Sequence, residues 1–240
     1  MLNGRIALVT GAGRGIGRAI ALAFAEAGCH VAALARSIEE IKETARLARD
    51  KGRGAVAIRC DVASPEEITR AHREAVEALG PIDILVNNAG FLVITPILGT
   101  SLEDFEQTMA VNLRATFLFS QAVLPSMIER GHGTIINIAS TSSKRWYVGQ
   151  GAYCAAKHGV LGLTKVLAEE MRPHNIRVSA ICPGGVNTRM VQEERDDIVP
   201  DEWMDPEDIG RLAVFLATLP PKAAIDEVVI RRFASSPLHG

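Results

Sequence analysis

Arg5-Ile6-Ala7-Leu8-Val9-Thr10-Gly11-Ala12-Gly13-Arg14-Gly15-Ile16-Gly17 is the stretch on which the reading of the fold turns. Its first half is a short apolar run, the pattern of a strand covered on both faces. Its second half is a glycine-rich turn that leads into a helical pattern over Gly15–Ala27. A helix N-terminus after such a turn presents free N–H groups and the positive end of the helix dipole, and so attracts a pyrophosphate. Glycine lets a ligand approach the backbone. The Gly-x-Gly-x-x-Gly spacing fails here, because it would need glycine at Ile16 or at Arg18; Gly11, Gly15 and Gly17 fit Gly-x-x-x-Gly-x-Gly instead. Taken alone, the turn suits tight packing as well as it suits a ligand.

Short apolar runs continue to alternate with helical patterns along the chain. Strands are expected at Ile6–Val9, Val31–Ala35, Val56–Cys60, Ile84–Val86, Thr134–Ile138, Val178–Ile181 and Val228–Ile230. Helices are expected over Gly15–Ala27, Ile38–Lys51, Pro65–Leu79, Leu102–Ile128, Ala152–Met171 and Pro206–Ala217. Ser64-Pro65-Glu66-Glu67 and Asp205-Pro206-Glu207-Asp208 are helix starts: a capping side chain, proline at the first helical position, then acids. Pro125 falls within a helical pattern and is expected to bend or divide it. The alternation implies crossover units and a parallel sheet with helices on both faces. No repeat or linker interrupts the 240 residues, so residues 1–240 read as a single domain.

Composition narrows the function classes. A net charge of −2 without long charge runs argues against a nucleic-acid partner. The four cysteines (Cys29, Cys60, Cys154, Cys182) are far apart and form no CxxC pair, which suits reduced thiols. Six scattered histidines show no HExxH, so no metal site is expected. No signal-like segment precedes the first strand, and no apolar run approaches membrane-spanning length. The expectation is a cytoplasmic protein with no membrane partner.

Tyr153-Cys154-Ala155-Ala156-Lys157 carries the chemistry. A spacing of four puts phenol and ammonium on one helical face. Bringing a tyrosine from a pKa of ~10 towards neutrality takes roughly 3 to 4 kcal/mol, and one positive charge about 4 Å away at an effective dielectric near 20 supplies roughly 4 kcal/mol. On that arithmetic a single lysine makes Tyr153 a usable acid and base. Ser140, just past the Thr134–Ile138 strand, is placed to stabilise charge on a substrate oxygen.

The motifs Thr10-Gly11-x-x-x-Gly15-x-Gly17, Asn87-Asn88-Ala89-Gly90, Ser140, Tyr153-x-x-x-Lys157 and Pro183-Gly184 occur in the order and rough spacing of the short-chain dehydrogenase/reductase family. The chain resembles that family over nearly its whole length, including members that act as 3-oxoacyl-acyl-carrier-protein reductases. The resemblance implies a Rossmann-type doubly wound parallel sheet of about seven strands and a hydride transfer between a nicotinamide cofactor and a carbonyl or secondary alcohol. It implies a catalytic set of Asn112, Ser140, Tyr153 and Lys157, with Asn112 holding a relay water and Lys157 also holding the nicotinamide ribose. It places the dinucleotide along Gly11, Arg14, Gly15, Ile16 and Gly17, then Arg36, Ser37, Asp61, Val62, Asn88, Ala89 and Gly90. Pro183, Gly184, Val186 and Thr188 would line the nicotinamide side.

NADP(H) is expected over NAD(H). The second strand ends Ala35-Arg36-Ser37, with no acid before Glu39, and Ala35 takes the place of the family's discriminating carboxylate. Arg36 suits bidentate phosphate contact, and Arg14 adds a second positive charge.

For the small-molecule substrate, the loop between Ser140 and Tyr153 offers Trp146 and Val148 as an apolar floor. The acidic segment Arg189–Met204 suggests an open site that does not favour a strongly anionic substrate. Arg130 and Arg172 are candidates for meeting an acidic carrier protein. A polyol, sugar or xenobiotic-ketone reductase fits equally well, and a non-catalytic dinucleotide sensor or a sugar-nucleotide epimerase fits less well. Val160, Leu161, Leu163, Val166 and Leu167 are too many for a narrow core stripe on their helix, so a homodimer or homotetramer is expected. The Ala224-Ile225-Asp226-Glu227 segment departs from the family's usual C-terminus and weighs against the tetramer.

Overall fold

The Ile6–Thr10 run is strand β1, buried at every position. In this computed structural model, which describes residues 2–193 and 202–236, β1 is flanked by β2 (His30–Ala35) and β4 (Ile84–Asn87). Beyond them lie β3 (Ala55–Arg59), β5 (Gly133–Ile138), β6 (Ile176–Gly184) and β7 (Glu227–Arg231), in the order β3-β2-β1-β4-β5-β6-β7. Every pairing is parallel, with Val9 opposite Val86 and Gly184 opposite Arg231. This is the expected doubly wound sheet. Strand order reverses between β1 and β4, and such a reversal opens a crevice at the strands' carboxyl ends.

Helices cover both faces, which is why the central strands are apolar throughout rather than alternating. On one side α1 (Gly15–Glu26), α2 (Ile38–Asp50) and, after the short α7 (Arg189–Gln192), α8 (Pro206–Ala217) enclose Val9, Val31 and Ile136. On the other α3 (Pro65–Leu79), α5 (Ala115–Arg130) and α6 (Gly151–Met171) enclose Leu8, Leu34 and Ile135. The expected helix starts hold: Ser64 Oγ accepts from Glu67 N at 3.2 Å, and Asp205 forms a reciprocal capping box with Asp208.

Two expectations change. Pro125 neither ends nor divides its helix; α5 runs through it. Pro125 and Gln121, four residues earlier, are both exposed, so the carbonyl deprived of its donor belongs to a solvent-facing part of the helix, where the loss is tolerated. The break in the Leu102–Ile128 pattern falls earlier, at a π-helical turn over Ala110–Arg114 that separates α4 (Leu102–Met109) from α5. A π turn needs no proline or glycine, so composition does not reveal it. The surplus apolar residues of α6 are also largely absorbed within the chain: Val160, Leu161 and Leu167 are buried, and only Val166, at 55%, is well exposed.

The glycine turn is fixed by close approach. A Cβ on Gly17 would stand 2.2 Å from Gly11 O and 2.4 Å from Asn88 Nδ2. Gly17→Ala is therefore expected to cost about 1–3 kcal/mol through overpacking and to lower Tm by several degrees. An unchanged thermal unfolding curve would contradict this contact.

Candidate active site

The carboxyl ends of β1 and β4 are laced together by two side chains. Thr10 Oγ1 accepts from Asn88 N at 2.9 Å and Ala89 N at 3.0 Å, and Asn88 Nδ2 returns a bond to Thr10 O at 2.9 Å. Above this junction lies a cavity of about 1120 Å³ that runs from the glycine turn to the α6 tyrosine and lysine. It is large for a single small molecule.

The cavity suits a dinucleotide on this chain's own geometry. α1 begins at Arg14 with no side-chain cap and no acid in its first turn, whereas α3, α4 and α8 carry both. Gly11, Arg14, Gly15, Ile16 and Gly17 line the cavity beneath that uncapped end, with N–H groups left for an anion. Asn88, Ala89 and Gly90 also line the cavity. Pro183, Gly184, Val186 and Thr188 line it too, with Thr188 Cγ2 3.3 Å from where a Gly15 Cβ would stand.

Charges at the other end are mixed. Ala35, Arg36, Ser37, Asp61 and Val62 line it as expected, and Arg36 is exposed with no carboxylate partner among the described residues. Asp61 also caps its own turn, accepting from Ala63 N at 3.0 Å. Glu40, which no sequence motif marks, lines this end as well. Its Oε2 lies 2.8 Å from where a Gly13 Cβ would stand, and its Oε1 is 3.7 Å from Arg14 Nη1. Strand-end position did not reveal it, because this acid reaches back from the first turn of α2.

At the catalytic end, Ser140 caps the short 3-10 turn Thr141–Ser143, and its Oγ accepts from Ser142 N at 3.0 Å. With a lone pair used in that way, the hydroxyl proton is left to donate into the cavity. Lys157 is 3% exposed; its Nζ donates to Ile138 O at 2.9 Å and sits 5.6 Å from the Tyr153 ring centroid. The titration behaviour differs from the simple one-lysine arithmetic. Burial penalises a charged form, so it raises the Tyr153 phenol to about 12, against a smaller downward pull from the Ser140 hydroxyl. The same burial lowers Lys157 to about 8. Tyr153 is thus held as the neutral phenol, and Lys157 remains an ammonium below that value.

Three expected residues, Trp146, Val148 and Asn112, stand apart from the cavity wall. Trp146 is 84% exposed and Val148 is exposed too, while Arg145 and Tyr147 line the cavity instead. The segment alternates outward and inward, so a shift of one residue exchanges the wall for the surface. Asn112 is buried in the π turn beside the wall residue Val111. Its Nδ2 donates to Thr108 O and Phe91 O at 2.9 and 2.8 Å, and its Oδ1 accepts from Phe91 N at 3.3 Å. Its amide is therefore committed to holding the Gly90–Phe91 loop.

A crevice of this form, ending in a serine, tyrosine and lysine, defines a nicotinamide-dinucleotide oxidoreductase that acts on alcohol and carbonyl groups. Residues 5–199 match the family model for short chain dehydrogenases, and the chain belongs to that family. It is 39% identical to D-threitol dehydrogenase of Mycolicibacterium smegmatis, over 90% of this chain and 87% of that one. It is 38% identical to 3-oxoacyl-[acyl-carrier-protein] reductase of Aquifex aeolicus, over 90% and 91%. Among solved structures, a metagenomic short-chain oxidoreductase in complex with NADP superposes with a TM-score of 0.86 at 33% identity, covering 98% and 99% of the two chains.

The pH profile of kcat/KM for NADPH reports the free enzyme. It is expected to be level at neutral pH and to fall above about 8, as Lys157 loses its proton. A profile that stays flat through that value would contradict the placement of Lys157 at the cofactor.

Proposed function

We propose that the chain is an NADP(H)-dependent carbonyl reductase in which Tyr153 is the proton donor. The observation that carries this reading is the Tyr153 phenol, held protonated by burial beside Ser140 in a cavity continuous with the uncapped start of α1. A bound nicotinamide supplies the hydride to the carbonyl carbon. Ser140 donates a hydrogen bond to the carbonyl oxygen and stabilises the charge that develops there. Tyr153 delivers its proton to that oxygen, so the product is the alcohol and the phenolate is left facing the Lys157 ammonium. Lys157, with one acceptor at Ile138 O among the described residues, has further N–H donors for the cofactor ribose. Asn112 acts at one remove, by fixing the loop beside Gly90.

The preference for NADP(H) rests on Arg36 and on the missing strand-end acid, and the NADP complex of a structural relative supports it. Glu40 opposes it, because its carboxylate pairs with Arg14 and would repel a 2′-phosphate. A free small-molecule substrate is favoured over a carrier-bound one. Arg130 is spent on Asp83 at 2.6 Å, and Arg172 on Glu169 at 2.9 Å, which leaves neither as a ready docking cation. The relatives' names leave both a polyol and a 3-oxoacyl substrate open. Leu102, Phe105, Phe117 and Val166, exposed on α4, α5 and α6, support assembly as a homo-oligomer, with at least a dimer expected. Three buried free thiols and the lack of any membrane-crossing helix among the described residues support a cytoplasmic location.

Tyr153→Phe is expected to abolish nearly all NADPH-dependent carbonyl turnover while leaving NADPH binding in place; a tenth or more of wild-type turnover, about 1.4 kcal/mol or less of lost stabilisation, would refute Tyr153 as the proton donor. In cofactor titrations NADP(H) should bind at least about tenfold more tightly than NAD(H). Glu40→Gln should widen that ratio and Ala35→Asp should reverse it. Equal affinities in the wild type, with no response to Glu40→Gln, would overturn the assignment.

A further inference from the structure

Four arginines line the catalytic half of the cavity, and they differ in what they hold. Arg189 is paired with Glu193 at 2.6 Å, and Arg231 donates to the main-chain carbonyl of Arg232 at 3.0 Å and to that of Ser235. Arg145 and Arg232 have no carboxylate partner among the described residues. Each instead lies over an aromatic face. Arg145 Cζ is 4.7 Å from the Tyr147 ring centroid, and Arg232 Cζ is 4.6 Å from that of the buried Trp203. Such a contact restrains a guanidinium and leaves in-plane N–H groups for an acceptor, which for Arg145 are those of its two Nη atoms, because its Nε is bonded to Tyr147 Oη.

Both arginines are tied to the reaction end rather than the adenosine end. Arg145 Nε donates to Tyr147 Oη at 2.8 Å, and that oxygen is 3.1 Å from the hydroxyl of Thr141, the residue after Ser140. Thr141 in turn packs on Gly184, where a Cβ would stand 2.5 Å from its Cγ2. Arg232 N donates to Gly184 O at 3.3 Å, and the Arg232 side chain fills the space a Gly185 side chain would need, with Cδ 2.7 Å from that Cβ position. The net charge of the chain is −2, so two cations without counter-ions among the described residues in one cavity wall are a local feature and not general basicity.

Resting on the carbonyl–alcohol reading above, we propose that the substrate carries an anionic group, a carboxylate or a phosphate ester, clamped by Arg145 and Arg232 while its carbonyl faces Ser140 and Tyr153. The acidic composition of 189–204 points away from an anionic substrate, and residues 194–201 of that segment lie outside the described ones; the proposal rests on the described arginines and departs from that expectation.

The test is calorimetric titration of the NADP⁺-saturated protein with succinate and, separately, with inorganic phosphate, so that the cofactor's own anion sites are filled. Wild-type protein is expected to bind at least one of the two probes, and which one identifies the anion. The double variant Arg145→Met/Arg232→Met should bind it at least about tenfold more weakly, and Arg232→Lys should retain part of the affinity. In a kinetic arm, the kcat/KM of a 3-oxo acid over its methyl ester should exceed one by about tenfold in wild type and fall to near one in the double variant. No binding by wild type, or equal binding by the double variant, overturns the clamp. Tyr153→Phe should keep anion binding, so a protein that binds the probe yet reduces no carbonyl would count against the reaction and leave the clamp standing.

Discussion

An ammonium group enclosed by protein is the constraint on which the site depends. Lys157 Nζ is anchored to the Ile138 carbonyl at the end of β5, so α6 cannot rotate or slide without leaving a charge unpaired in the interior. Breaking such a contact leaves an uncompensated buried charge and is costly. The anchor fixes the phenol one helical turn away, and Ser140 lies just beyond the same strand end. Enclosure then acts on both groups at once. It keeps Tyr153 protonated and brings Lys157 within reach of physiological pH. That division suits proton donation to a carbonyl better than proton removal from an alcohol.

The cavity divides its electrostatic work between two ends. At the end lined by Ala35 and Arg36, Arg14 and Glu40 partly cancel, and among the described residues Arg36 is left as the cation without a carboxylate; in the proposed reading cofactor discrimination is a balance of these opposed charges. At the end proposed for the substrate, Arg145 and Arg232 have no such counterweight among the described residues. Between them the uncapped start of α1 offers main-chain donors, which do not depend on side-chain charge at all. A ligand that spans the cavity thus meets three kinds of anion recognition in sequence.

Much of this was legible in the chain. Strand and helix order follow from apolar periodicity, because a parallel sheet buried on both faces makes its strands uniformly apolar. Gly11, Gly15, Gly17, Ser140, Tyr153 and Lys157 were placed by spacing and by family resemblance, and the fold brings all of them to one cavity. What escaped was set by geometry that spacing does not encode. The π turn at Ala110–Arg114 carries ordinary helix residues, so nothing in composition separates it from a continuous helix. Trp146 and Tyr147 exchange roles through a shift of one position in an extended loop. Glu40 and Arg232 enter from α2 and from beyond β7, each remote in sequence from the motif it modifies. Burial, which reversed the direction of the Tyr153 shift, is a property of the packed molecule and not of a four-residue interval.

The central claim is that Tyr153 is held as a neutral phenol by its surroundings, and the chain contains only two tyrosines, Tyr147 and Tyr153. An ultraviolet titration of wild type minus Tyr153→Phe therefore isolates the ionisation of one residue. The account predicts no phenolate signal from Tyr153 below the ordinary tyrosine value of 10.0, with onset only towards about 12. Ionisation of Tyr153 near neutral pH in the cofactor-free protein would contradict it, and would return control of the phenol to Lys157.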